Sequence, residues 1–377
     1  MRILILLCVF AVAGSGLAIA DHADHHFNAA NDAGPSYALI PLGIHDDFEA
    51  VIEIKTEGQV AGLLFHAHRN EAFEPTPCGE WLVPGLYGQA IVMNADGMLQ
   101  FNTVDGASKV ESTFANELPA DDDDWVRLSI TARGPEITVT IDSVKLTYAN
   151  PGEHFLRGAL YWVAGAVEGA SGGTAEIRLI EFNSLEREGE WRPLFNGTNF
   201  DGWKQWGNEQ WDIEEGVIIG RSGPDKSEGY LATEEVWRDF RVRGTFKMLG
   251  AGNFGLFYHA TIEMGEKDGK PYPYISGVQG EVEPDYPSST GWLYESYKRG
   301  WLVQPPKNTL AAYVLEPEGW NDLEIRAQDG VITTWVNGVR AIHFDDSDPQ
   351  LFEGSFALQL HAGGVDGIAW KDLYVLD

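Results

Sequence analysis

The 377-residue chain holds 57 acidic against 26 basic residues, a formal net charge of −31, with 44% hydrophobic and 12% aromatic content. That apolar content suffices for two substantial cores. The carboxylate excess repels phosphate backbones and anionic membrane surfaces, which excludes nucleic acid and a charged lipid face and leaves neutral ligands compatible.

In chain order, residues 1–20 read as a secretory signal peptide: Arg2, an apolar run from Ile3 to Val12, and the small-x-small site Ala18-Ile19-Ala20. The run is too short to span a bilayer, so no membrane insertion is expected. Cys8 leaves with the signal, and Cys78 alone cannot form an intrachain disulfide. A bacterial protein exported to the periplasm or medium fits this pattern. Residues 21–34 are polar and unpatterned and are predicted to be a flexible linker. From Tyr37 the signals are those of strands, with Leu128, Ile130 and Ala132 alternating with polar neighbours. Asp142-Ser143 predicts a hairpin turn, weaker than the Asn337-Gly338 turn between Thr333–Val336 and Val339–Phe344. Asp121–Asp124 reads as a solvated turn, and Gly165–Gly173 lacks the strand-to-helix setting of a phosphate loop. The charged stretch Glu186–Glu190 marks a boundary. Beyond it, Phe240, Val242, Phe246 and Met248 alternate with Arg241, Arg243, Thr245 and Lys247. The one helical signal is a turn or two near Thr233–Arg238.

The second half replays the first. Asp47-Phe48 followed by Gly62-Leu63-Leu64-Phe65-His66-Ala67 returns as Asp239-Phe240 followed by Gly255-Leu256-Phe257-Tyr258-His259-Ala260. Trp125 and Trp320 open matching phrases of two alternating stretches around a turn. Two antiparallel β-sandwiches, residues 35–188 and 189–377, are therefore predicted. Polar groups present in only one copy are the candidates for chemistry. His66 matches His259, which points to a scaffold role for both. Gln359 and His361 fall opposite Tyr161 and Val163, Glu281 opposite Val92, and Glu295 opposite Asn102. The first copy is accordingly expected to be catalytically silent.

Leu194-Phe195-Asn196-Gly197-Thr198-Asn199-Phe200-Asp201-Gly202-Trp203 opens the second copy. Together with Ser276-Gly277-Val278-Gln279-Gly280-Glu281, Gly291-Trp292-Leu293-Tyr294-Glu295, Gly319-Trp320-Asn321, Trp335-Val336-Asn337-Gly338-Val339 and Gln359-Leu360-His361-Ala362-Gly363-Gly364, it resembles the 3-keto-disaccharide hydrolase family. The resemblance covers residues 189–377 and implies a concanavalin A-like jelly roll in an exported bacterial protein acting on glycosides oxidised at C3. It extends to residues 35–188 only as a diverged copy. The Gly255–Ala260 block has His259 where the family often has Arg, and an acidic, Pro-rich stretch, Glu283-Pro284-Asp285-Tyr286-Pro287, follows Glu281.

A ketone at C3 acidifies the C2 proton, so a base removes it and the C1 oxygen leaves by elimination; water adding back completes hydrolysis. This needs a base near C2, an acid near the glycosidic oxygen and a donor or cation for the enolate oxygen. Glu281 and His361 are the predicted catalytic groups, and His259, Gln279, Glu295, Arg299 and Gln359 the predicted substrate-binding ones. Gln279 and Glu281, two apart on one strand, share a face, as do Gln359 and His361. Glu281, Glu283 and Asp285 could hold Ca²⁺ or Mg²⁺, although a solvated loop fits them better. The competing class is a lectin-like protein whose two sandwiches bind glycans without turnover, for which the fold alone gives no discrimination.

Overall fold

The computed structural model describes residues 19–21, 26–30, 36–69, 86–94, 97–104, 109–113, 123–149, 155–166, 173–185, 191–285, 287–307 and 309–376. The predicted signal segment up to Ala18, Cys78, Asp121, Asp122, Tyr286 and most of Gly165–Gly173 lie outside them. The chain divides into two compact units, Met1–Glu186 and Arg187–Asp377. Among the described residues no helix is long and apolar enough to cross a membrane.

Each unit is two antiparallel sheets enclosing one core. In the first, one sheet has the order Ile19–Asp21, His26–Ala30, Thr174–Ser184, Phe48–Glu57, Val126–Arg133, Glu136–Ile141, Val144–Ala149. The other runs Ser36–His45, Gly158–Ala166, Gln59–Arg69, Leu86–Met93, Leu99–Val104, Lys109–Thr113. Phe48, Ile52, Leu63, Phe65, Ile91, Phe101, Leu128 and Trp162 fill the space between. At about 2 kcal/mol for each fully buried large apolar side chain, such a layer is the main favourable term. His26–Ala30, expected as linker, is instead a strand paired with Thr174–Arg178, and Ile19–Asp21 pairs in turn with His26–Asn28. The unpaired backbone of an edge strand accepts such an addition whatever the polarity of the added side chains.

The second unit repeats this order. One sheet is Gln210–Glu214, Val217–Arg221, Ile368–Leu376, Phe240–Met248, Asn321–Gln328, Val331–Val336, Val339–Asp345, with Arg192–Pro193 also on Ile368–Leu376. Its partner is Trp203–Trp206, Gly229–Thr233, Ser355–Leu360, Phe254–Lys267, Lys270–Val282, Leu293–Ser296, Gly300–Val303. Phe240–Met248 alternates buried and half-buried residues along its length, as its sequence predicts. Asn337 and Gly338 take φ of 49° and 80°, closing the hairpin between Val336 and Val339. Thr233–Arg238 is not helical: Trp237 bridges Gly354 and its ring stacks on Phe356 with centroids 4.4 Å apart. The short helix is Leu310–Tyr313, whose Leu310, Ala311 and Ala312 are buried.

Strand pairing fixes which residues of the two units correspond, and it corrects the sequence alignment in two places. Gly62 lies opposite Val92 and Val163, while Gly255 lies opposite Glu281 and Gln359. Glu281 therefore matches Val92 as expected, but Gln359 matches Val163, and by continuation His361 matches Gly165. Val278 pairs Glu295 and Gln89 pairs Thr103, so Glu295 corresponds to Thr103 and Tyr294 to Asn102.

Candidate functional site

Two polar regions of the second unit contain the predicted residues, and they lie on opposite sides of the seven-stranded sheet. In Lys270–Val282, Val278 and Val282 belong to the core, so Gln279 and Glu281 face away from it. In Ser355–Leu360, Phe356, Leu358 and Leu360 are core and Gln359 faces outward in the same way. The register then aligns Tyr230, Gln359, Gly255 and Glu281 in one row across four strands.

Hydrogen bonds join this outer row. Gln279 donates through Nε2 to Gln359 Oε1 at 2.7 Å and to Glu281 Oε2 at 3.2 Å. Asn253 Nδ2 donates to the same Glu281 oxygen at 3.0 Å. Gln359 Nε2 donates to Glu228 Oε1 at 2.8 Å, and the Tyr272 hydroxyl to Glu228 Oε2 at 2.5 Å. Gly255 makes the arrangement possible, because a Cβ there would lie 2.4 Å from Gln279 Nε2. Gln279, Glu281 and Gln359 are all buried. Burial pushes the Glu281 carboxyl up to about 8; the Asn253 amide opposes the shift and the Glu283 carboxylate adds to it. Tyr230 is fully buried, and burial followed by the Glu228 carboxylate raises the pKa of its hydroxyl.

His361 lies two residues beyond Gln359, just past the end of Ser355–Leu360, and is exposed. Its backbone N–H donates to Asn253 O at 3.3 Å, and its Nδ1 lies 2.9 Å from Ala362 O. A carbonyl only accepts, so Nδ1 donates in this contact, and Nε2 is the nitrogen left to act as acceptor in the neutral form of the ring.

The remaining predicted residues are elsewhere. Glu295, Arg299 and His259 line a cavity of about 360 Å³ with Tyr258, Val278, Ile332 and Asp346. All five N–H bonds of the Arg299 guanidinium reach protein acceptors: Nε to Glu295, and the terminal nitrogens to Glu295, Asp346 and the Asp348 carbonyl. Those two carboxylates raise the Arg299 pKa further, and in return Asp346 is held below the usual carboxylate range. Arg299 is thus a clamp between two turns and has no donor left for a ligand. His259 sits at a left-handed φ of 49° in a bulge, donating through Nε2 to Arg238 O at 2.7 Å. His66 does the same in the first unit, with φ of 47° and the Asp46 carbonyl as acceptor. Gly158 and Gly354 permit both bulges, since a Cβ would lie 2.4 Å and 2.3 Å from the two histidine carbonyl carbons. Burial lowers both histidine pKa values, as suits neutral structural rings.

Glu281, Glu283 and Asp285 do not converge; among the described residues no group of three or more such side chains could hold a metal ion. Instead, the Glu283 backbone is fastened to Ser288 and Thr290. Asn253, Glu228, Tyr230 and Tyr272 were missed in the sequence. They come from three separate segments, and only the match of Tyr230 to Tyr37, implied by their pairing with Gln359 and Val163, could have flagged one of them.

In the first unit the corresponding outer positions are Ala90, Val92 and Val163, all buried in a small apolar cluster. Residues 190–376 match the model of the 3-keto-alpha-glucoside-1,2-lyase-like domain. The second unit belongs to this family. Among solved structures, the chain is similar to a protein from Parabacteroides distasonis with a provisional glycosyl hydrolase designation, at 22% identity over 52% of this chain and 98% of that one, TM-score 0.37. It is also similar to a galectin-like protein of unknown function from Bacillus subtilis, at 13% identity over 49% and 94%, TM-score 0.38. A carbohydrate-binding module from Bacillus subtilis follows at 15% identity over 47% and 96%, TM-score 0.31. No curated protein matches the chain.

Proposed function

We propose that the protein is an exported carbohydrate-active enzyme that cleaves 3-keto-glycosides by elimination, with or without rehydration, at the outer face of the second unit's seven-stranded sheet. The observation that carries this reading is the Glu281 carboxyl, buried, tied into an amide network and titrating near 8. At neutral pH it is mostly protonated and serves as the general acid for the departing glycosidic oxygen. His361, in its neutral form, takes the C2 proton through Nε2. Gln359, held by Glu228, keeps one amide N–H for the keto oxygen at C3, where enolate charge develops. The electrons of the C2–H bond form the C1–C2 double bond as the C1–O bond breaks, so the proton leaves on the base and the leaving group takes one from Glu281. The first unit, with Ala90, Val92 and Val163 at the corresponding positions, is a support or binding module in this scheme.

The test is incubation with a 3-keto-disaccharide and its unoxidised parent. Turnover is expected of the oxidised sugar alone, with Glu281→Gln and His361→Ala each lowering kcat by about 10²–10⁴-fold. Undiminished turnover in the His361→Ala variant would remove it from the site. Saturable binding of both sugars without cleavage would establish a lectin-like protein instead.

A further inference from the structure

Glu281 occupies the middle strand of a five-strand span across the outer face, and the two flanks of that span differ in chemistry. On one side, two strands away, lies Gln359, with Tyr230 on the strand beyond it and Glu228 bonded to Gln359 and to Tyr272. On the other side the register leads from Gln279 to Tyr294 and from Tyr294 to Trp301, placing all three on the same face. Trp301 lies on the edge strand, two strand spacings from the Glu281 strand, or about 10 Å. Its ring is steeply inclined to Tyr294 and Trp292, with interplanar angles of 75° and 82° and centroid separations of 5.3 and 6.0 Å. Two aromatic braces therefore fix the indole, yet Trp301 remains 42% exposed where Glu281 is only 4% exposed. A large apolar ring held in place by two aromatic neighbours and left open beside a buried polar row offers a flat face to a ligand. In the first unit the position of Tyr294 is taken by Asn102, so the brace is absent there along with the polar row.

We propose that Trp301, held by Tyr294 and Trp292, is a stacking platform for the leaving-group sugar, on the opposite side of Glu281 from the ring that carries the ketone. The proposal rests on reading Glu281 as the general acid. A carbonyl-bearing ring needs the hydrogen-bonding flank, and an acid poised between the flanks then reaches the oxygen that joins the two rings. The departing sugar presents an apolar C–H face to the indole, which binds it without needing further hydrogen bonds.

The experiment compares wild type, Trp301→Ala and Trp301→Phe on a 3-keto-disaccharide and on the methyl 3-keto-glycoside that lacks a second ring. Trp301→Ala should lower the ratio of kcat/KM for the disaccharide over the methyl glycoside about tenfold, equivalent to about 1.4 kcal/mol, and Trp301→Phe should restore much of it. An unchanged ratio overturns the platform. A second arm measures calorimetric binding of the disaccharide to Glu281→Gln with and without Trp301→Ala, which is independent of turnover. If no sugar is cleaved but Trp301→Ala still weakens disaccharide binding about tenfold, the chemistry assigned to Glu281 fails and the platform stands. Absence of disaccharide binding, or binding indifferent to Trp301, removes it.

Discussion

Replacing Glu281 with Gln should stabilise the protein, and increasingly so as pH rises from about 4.5 to 8. The carboxyl moves from an ordinary 4.5 to about 8 on folding, chiefly through burial. At about 1.4 kcal/mol per pH unit, the ionised form of the folded protein carries a penalty of order 5 kcal/mol, a ceiling that water entry and relaxation reduce. Between about pH 4.5 and 8 the folded protein keeps a proton that the unfolded chain has released, so its stability falls as pH rises through that window. Below the window both states are protonated and the penalty is absent. Gln keeps the shape and cannot ionise. Urea unfolding of wild type and Glu281→Gln at half-unit steps from pH 5 to 9 should therefore show near equality at pH 5, and a gap favouring the variant that widens to several kcal/mol by pH 9. The wild-type kcat/KM should fall above about pH 8 as the acid is lost. A gap that stays constant across the range, or activity that rises through pH 8, refutes the assignment of a buried protonated acid.

Three further outcomes are expected. Gly255→Ala drives a methyl group into the Gln279 amide, which would lie 2.4 Å away, so activity on a 3-keto-disaccharide should drop at least tenfold while circular dichroism shows the fold retained. Arg299→Met leaves the buried Glu295 and Asp346 carboxylates without their cation and should cost of order 3 kcal/mol in urea unfolding, with KM unchanged for the folded enzyme. Dialysis against EDTA should alter turnover by less than twofold, because the donors assigned to the enolate oxygen are amides; loss of activity restored by Ca²⁺ or Mg²⁺ would show otherwise.

Much of the architecture is legible in the sequence, because alternation in strands such as Phe240–Met248 and a turn such as Asn337-Gly338 are local properties. The pairing of Gln279 with Glu281 on one face is legible for the same reason. What is not local is the register between strands. A shift of one residue places Glu295 opposite Val278, on the core side, and so separates it from Gln279. Alignment by motif set Gln359 against Tyr161 where pairing sets it against Val163, because which residues face each other across strands is not written in either strand alone. Arg299 reads as a substrate-binding residue in the sequence because two of its acceptors, Asp346 and the Asp348 carbonyl, come from a distant turn. Asn253, Glu228 and Tyr272 meet Glu281 and Gln359 only through folding, and nothing in their own neighbourhoods marks them.

The apolar trio Ala90, Val92 and Val163 has a consequence for how such a chain can change over time. With apolar side chains at these three positions, the first unit lacks there the loss of stability between about pH 4.5 and 8 that Glu281 brings to the second. Substitutions that weaken its core are opposed by no stability already given up for chemistry, so that half can accumulate change on its outer face while the other is held near its threshold. On the proposed function, repetition of one sheet order separates tolerance from reactivity within a single polypeptide.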